Sequence, residues 1–130
     1  MSRAIEYFSR FAIFVIYAWF GVLKLIGTSP ANPLVDALLQ KTIPGLSFST
    51  FILALGIFEI LIGLLFLFGW ARWLTFGLFL VHMIIATGPL ILLPSIAWQS
   101  SYIPTLEGQY IIKNLALIAL ALNITFRRQY

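Results

Sequence analysis

Long runs of apolar residues alternate with short polar segments along this chain. Four of these runs, at about residues 11–26, 50–69, 73–93 and 110–126, contain few charged side chains. Each is close to the roughly 20 residues that a helix needs to cross a hydrocarbon core of about 30 Å. The pattern predicts an all-α integral membrane four-helix bundle, built as a single membrane domain over residues 1–130.

The first polar segment contains helix breakers at Pro30 and Pro44, and apolar residues at helical spacing lie between them at residues 34–41. Asn32 is a suitable N-cap, and Pro33 suits the first helical position. We therefore expect a short interfacial helix in the first outer loop.

The remaining connections are marked by turn and capping residues. The link at residues 69–73 is so short that spans two and three must be antiparallel neighbours. Gly88 and Pro89 should kink or loosen the third helix one to two turns before its end. Thr105 is a suitable N-cap for the fourth helix, where Glu107 in the first turn favours the positive end of the helix dipole.

The composition excludes several classes of protein. With 62% hydrophobic and 9% charged residues, the chain is too apolar for a soluble domain of this size. Its net charge of +4 comes from isolated residues, which indicates membrane orientation and not nucleic-acid binding. The absence of cysteine excludes disulfide and thiol chemistry within the chain. A single histidine does not supply both haem ligands or a multi-histidine metal site, so no haem or metal is expected.

The arginines predict how the chain is oriented. They lie at one side of the four predicted spans: Arg3, Arg10, Arg72, Arg127 and Arg128. The positive-inside rule then puts both termini in the cytoplasm of a bacterial or archaeal cell, as a multi-pass protein of the inner membrane. Lys24, Lys41 and Lys113 lie toward the outer side.

Each predicted span carries an ionisable residue: Lys24, Glu59, His82 and Lys113 in chain order. An unpaired charge at mid-membrane costs several kcal/mol, so these groups should face one another. Lys24 and Glu59 are the best candidates for an ion pair, while Lys113 pairs with Glu107 or competes for Glu59. The alternatives are a structural pair that fixes helix register, a core histidine with satisfied hydrogen bonds, and lysines that extend to the membrane surface.

Helical spacing groups further residues with this set. Tyr17 and Gly21 share one face of span one with Lys24. Small residues at such positions let helices approach closely. A second polar group opens span four, and because it is costly in lipid we expect it to face other helices. Its members are Glu107, Gln109, Lys113 and Asn114.

These motifs, in this order, resemble the DoxX-like family of small four-span membrane proteins. The matching segments are Trp19-Phe-Gly-Val-Leu-Lys24, Phe58-Glu59-x-x-x-Gly63, Phe68-Gly-Trp-Ala-Arg72, His82 and Tyr110-Ile-Ile-Lys-Asn114. The segment Thr105-Leu-Glu-Gly-Gln-Tyr110 is similar to a subgroup that includes inner-membrane proteins linked to reactive-chlorine resistance.

The resemblance implies a four-helix bundle in a bacterial or archaeal membrane and a link to redox biology. Some family members look like subunits of a thiosulfate:quinone oxidoreductase, and others accompany oxidative-stress enzymes. The motif residues that carry over are Lys24, Glu59, His82, Lys113 and Asn114. Because this chain has no cysteine, a role based on its own thiols is excluded.

The leading hypothesis is an outward-facing polar pocket that serves quinone-linked or oxidative-stress chemistry, with a quinone as the candidate cofactor. Glu59 and His82 are the candidate catalytic residues because a carboxylate and an imidazole accept and release protons. The candidate ligand-binding residues are Lys24, Lys113, Asn114, Tyr17, Trp19, Glu107 and Gln109.

Two other hypotheses remain open. In one, the chain is a non-enzymatic accessory or anchoring subunit whose buried ion pair only sets geometry. In the other, it is a small-anion carrier that works as an oligomer. The partners to expect are the lipid bilayer, a membrane or periplasmic redox protein and a second copy of the chain, and no nucleic acid.

Overall fold

A computed structural model of the protein describes residues 2–127, which are mostly helical. The elements in chain order are α1 (Arg3–Leu25), α2 (Asn32–Thr42), α3 (Phe48–Phe68), α4 (Arg72–Thr87), α5 (Pro89–Leu92), α6 (Pro94–Ala97), β1 (Trp98–Ser100), β2 (Ile103–Pro104), α7 (Leu106–Ile112) and α8 (Asn114–Thr125). Arg128, which the prediction of orientation used, lies outside the described residues.

Four helices of the described chain are long and apolar enough to cross a membrane. They are α1, α3, the segment Arg72–Leu92 that joins α4 to α5, and the segment Leu106–Thr125 that joins α7 to α8. The first begins at Arg3, where Ser2 caps it by accepting a hydrogen bond from the Ile5 amide. The polar residues before the predicted span 11–26 therefore continue the same helix.

α1 and α3 form the most extensive helix contact in the described chain. A Cβ built on Gly21 would lie 2.7 Å from the Gly56 carbonyl oxygen, and one on Gly63 would lie 3.2 Å from the Tyr17 Cβ. Because glycine has no side chain, the two backbones approach each other closely. This confirms the close approach expected beside Lys24.

The link between α3 and α4 is as short as the sequence predicts. α3 ends at Phe68, and Gly69 and Ala71 then take left-handed backbone conformations with φ of 70° and 46°. Glycine adopts this conformation without strain, whereas alanine does so at a cost. α4 begins at Arg72 and packs against α3.

The helix is loosened at Gly88 and Pro89 as predicted, since α4 ends at Thr87 and the four-residue α5 begins at Pro89. The loop that follows contains structure that the sequence did not predict. After α6, strands β1 and β2 form an antiparallel hairpin, and the Trp98 indole N–H donates to the Leu90 carbonyl at 3.0 Å. Thr105 then caps α7 by accepting a hydrogen bond from the Gly108 amide, as predicted.

The short helix between α1 and α3 is present, but its predicted cap is wrong. The N-cap of α2 is Ala31 and not Asn32, which already belongs to the helix. The Ala31 amide is instead bonded to the Ser29 hydroxyl, 3.2 Å away. A serine turn thus fixes the start of the helix one residue earlier than the asparagine cap would.

One hydrophobic core joins α1, α3, α4 and α8. Its buried members are Ile13, Tyr17, Ile62, Phe66, Phe79, Met83, Ala121 and Ile124. Apolar side chains elsewhere on these helices are widely exposed, as a surface in contact with lipid requires.

Candidate functional site

Glu59 on α3 is the centre of a buried polar site. Its Oε2 atom accepts a hydrogen bond from the Lys24 ammonium at 2.9 Å, and its Oε1 atom lies 3.0 Å from His82 Nε2. The side chains of Lys24 and Glu59 are only 7% and 6% exposed. The predicted ion pair is therefore confirmed, and His82 joins it from α4.

Tyr17 extends the site on the far side of His82. Its hydroxyl lies 3.0 Å from His82 Nδ1, and the two rings meet edge to face with centroids 5.0 Å apart. The tyrosine is 2% exposed. Tyr17, Lys24, Glu59 and His82 therefore form one continuous set of polar contacts across α1, α3 and α4, which we call the buried network.

The contacts of the network fix its proton positions when Glu59 is ionised. A carboxylate only accepts hydrogen bonds, so His82 must donate from Nε2. In a neutral imidazole the other nitrogen then accepts, and the Tyr17 hydroxyl donates to it. Every polar side-chain group in the network has a partner, and the ammonium balances the carboxylate.

Chain spacing explains why these residues meet. Tyr17 and Lys24 are seven residues apart, or two helical turns, with Gly21 between them at the point where α3 crosses closest. Glu59 lies ten residues before Gly69, and His82 lies ten residues after Arg72. Both are therefore about 15 Å from the same tight turn, and two antiparallel helices place them at one level.

The polar residues that open the fourth candidate span do not join the network. Lys113 is exposed, and its ammonium lies 5.5 Å from the centre of the Tyr110 ring. Glu107 and Gln109 are exposed too, and Asn114 is half-buried at the start of α8. Within residues 2–127 Lys113 has no carboxylate partner, unlike the expected pairing with Glu107 or Glu59.

The packing of α7 accounts for this difference. Its buried residues are Gly108 and Ile111, which are three apart and so define one inward face. Lys113 comes two residues after Ile111 and therefore projects from the opposite side. Trp19 is likewise 64% exposed and stands apart from Tyr17, although we expected the two to line one pocket. The ligand-binding roles of these outlying residues stay predictions.

Two further contacts, both between side chains, were not anticipated from the sequence. The Tyr17–His82 hydrogen bond depends on the depth at which α1 crosses α4, which no local pattern encodes. Glu6 and Arg10 form an ion pair at 3.1 Å, and their spacing of four residues on a helix was a usable signal. No group of three or more histidine, cysteine or acidic residues able to hold a metal occurs between residues 2 and 127.

Comparison with protein families, curated proteins and solved structures gives no significant match for this chain. Functional conclusions therefore depend on the sequence and on the geometry of the buried network.

Proposed function

We propose that this chain is an integral membrane protein whose buried network is a proton-transfer site, used in a quinone-linked redox reaction as the resemblance to DoxX-like proteins implies. The observation that carries the proposal is the series of hydrogen-bond contacts that joins Tyr17 through His82 to Glu59. Ionisable groups inside an apolar helical protein are costly, and they commonly mark proton or ligand sites.

The direction of the bonds defines what the network can do. A proton that enters at the Tyr17 oxygen displaces the phenolic proton to His82 Nδ1. The proton on His82 Nε2 then moves to Glu59, and the histidine is neutral again. One proton has travelled from Tyr17 to Glu59, and the charge of the network has risen by one unit.

This chemistry suits oxidation of a quinol, which releases protons together with electrons. Two protons and two electrons leave the quinol in the proposed reaction. The network accepts one proton, the solvent takes the other, and both electrons pass to a redox partner protein. Histidine and carboxylate groups within hydrogen-bond reach of each other are the usual agents of such transfer. Glu59 and His82 are therefore proposed as the proton-handling residues and Tyr17 as the entry group.

The test is an inventory of the small molecules that copurify with the protein in mild detergent. We expect a stoichiometric quinone with the wild type, its loss in Glu59→Gln and its retention in Asp36→Asn. The second variant is the matched control, because it removes a carboxylate charge on α2, outside the buried network and the candidate binding residues. Phospholipid alone in all three samples would contradict the proposal.

The burial of the network and its internal hydrogen bonds favour a second candidate function. Its lysine and glutamate side chains are over nine-tenths buried, and its bonds are satisfied internally. These properties suit an accessory subunit in which the ion pair only fixes the register of α1 on α3. The double variant Lys24→Met/Glu59→Gln should then keep its fold and its activity in the cell, whereas it abolishes activity if the network transfers protons.

The proposed location is the inner membrane of a bacterium or archaeon, with both termini in the cytoplasm. Its support is the group of arginines near one end of the candidate spans: Arg3, Arg10, Arg72 and Arg127. Since the chain has no cysteine, single variants report on topology without background. Ser2→Cys should resist an impermeant thiol reagent added to intact cells, and Ser100→Cys should react. The opposite pattern would reverse the proposed orientation.

A further inference from the structure

The helix ends beside the turn at Gly69, about 15 Å from the buried network, carry a second charged group. Arg10 donates from Nε and Nη2 to Glu6 Oε1 at 3.3 and 3.1 Å, and Arg127 also bonds to Glu6. Two guanidinium groups thus share one carboxylate. Arg72 lies close by at the start of α4 and has no carboxylate partner among residues 2–127, so this end has a surplus of positive charge.

Two of these arginines line a small open cleft. Its polar and turn-forming lining comprises Arg10, Gly69, Trp70, Arg72, Thr75 and Thr125. The Nη1 atom of Arg10 donates to the Phe66 carbonyl at 3.0 Å. The guanidinium carbon of Arg72 lies 4.8 Å from the centre of the Trp73 ring. Both guanidinium groups are therefore held by contacts that leave further N–H donors.

The turn between α3 and α4 shapes the cleft. A Cβ on Gly69 would lie 3.3 Å from Arg10 Nη1, so a side chain here would crowd the guanidinium. Ala71 provides no side-chain cap for α4, whose first amide groups have no partner within the helix. These donors add to the positive potential that the two arginines create.

We propose that this cleft binds the phosphate group of an anionic phospholipid. The planar guanidinium fork matches phosphate oxygens, and two guanidinium groups that line one cleft suit a single phosphodiester. Trp70 and Trp73 are 66% and 57% exposed beside the cleft, and tryptophan favours the boundary between headgroups and acyl chains.

The neighbouring helix surfaces decide between a lipid and free phosphate. The exposed residues next to the cleft include Phe68, Leu74 and Phe126, which offer an apolar surface for acyl chains. Free phosphate has no group to place there. The site is independent of the buried network, so the two proposals fail separately.

The experiment is native mass spectrometry of the full chain in mild detergent. Short-chain phosphatidylglycerol, phosphatidylcholine with the same chains, and inorganic phosphate are titrated in turn. We expect one tightly bound phosphatidylglycerol and no comparable binding of the other two. Arg72→Gln should weaken phosphatidylglycerol binding by about five-fold, the effect of one basic residue at a lipid surface.

Arg3→Gln is the matched control, since it removes the same charge near the same end from an exposed position outside the cleft. It should bind phosphatidylglycerol as the wild type does. Equal losses in the two variants would overturn the site, because they would indicate only a diffuse surface potential. Equal binding of both lipids, or competition by inorganic phosphate at similar concentrations, would also overturn it.

Removal of Arg10 is a weaker test because that residue also holds Glu6 and Phe66. Arg10→Lys keeps the charge and loses the fork, so it supplies a second variant. We expect it to weaken phosphatidylglycerol binding while the protein still elutes as a folded species. Unchanged binding in both Arg10→Lys and Arg72→Gln would reject the cleft as the lipid site.

Discussion

Two groups of polar residues interrupt the apolar helices, and they differ in their burial. The buried network on α1, α3 and α4 is enclosed, and its members bond to one another. The group that opens the fourth candidate span, from Glu107 to Asn114, lies largely at the surface. Both contain a lysine and a glutamate, so these side chains alone do not separate them. The difference is that only the first group lies between the long helices, where Gly21 brings α1 against α3. In the second group, Gly108 packs against Ala97 of the preceding loop.

Removal of a charge from the buried network should destabilise the protein far more than removal of a charge from the exposed group. Glu59→Gln leaves the Lys24 ammonium buried without a counter-charge, which should lower the free energy of unfolding by about 3–5 kcal/mol. Glu107→Gln should change it by less than about 0.5 kcal/mol because the residue is exposed. Denaturant titration in detergent measures both. Equal stability of the two variants would mean that the network does not hold the bundle together.

A double variant separates the loss of the whole ion pair from the loss of one charge. Lys24→Met combined with Glu59→Gln removes both charges, so stability should return most of the way to that of the wild type. A double variant as unstable as Glu59→Gln alone would assign the loss to His82 and not to Lys24.

The glycine contact is expected to give the next largest effect. Gly21→Ala would force its Cβ against the Gly56 carbonyl, which is backbone and does not move aside. We expect a loss of about 1–3 kcal/mol and a weaker Lys24–Glu59 bond. Gly77→Ala is the control, since no atom lies within 4 Å of its Cβ. That variant should be neutral or slightly more stable, and thermal melts of the two proteins test the contrast.

Tyr17→Phe removes only the hydrogen bond between Tyr17 and His82. Loss of the hydroxyl leaves His82 Nδ1 without its donor, at a cost of about 1–3 kcal/mol. The nitrogen chemical shifts of the single histidine report the change directly by NMR. Tyr110→Phe should leave those shifts unaltered, because Tyr110 lies outside the network. Identical spectra of wild type and Tyr17→Phe would show that the tyrosine does not bond to the ring.

The smallest effect is expected at Lys113. Its contact with the Tyr110 ring is at the surface, so Lys113→Met should alter stability by less than about 1 kcal/mol. A loss as large as that of Glu59→Gln would indicate a buried partner for Lys113 and would abolish the distinction between the two groups.

The sequence predicts the helices well and the site in part. The lengths of the apolar runs are a local property, and they indicate four long helices. The short turn at Gly69 is local too, and it indicates that α3 and α4 are neighbours. The Lys24–Glu59 pair was also predictable, since two opposite charges in apolar helices have few other partners. The position of Lys113 was not predictable. Helical spacing shows which residues share a face of one helix, but it does not show which face packs against the core. That depends on how Gly108 and Ile111 pack against the preceding loop.

The unequal packing of the helices has a mechanical consequence. Lys24 and Glu59 belong to the pair of helices in closest contact, and Tyr17 belongs to that pair as well. His82 alone comes from α4, which is interrupted at Gly88 soon after it. A shift of α4 along the α1–α3 pair would disconnect His82 from Tyr17 and Glu59 at once and leave the ion pair intact. Among residues 2–127, the imidazole thus makes the side-chain hydrogen bonds that link α4 to the α1–α3 pair.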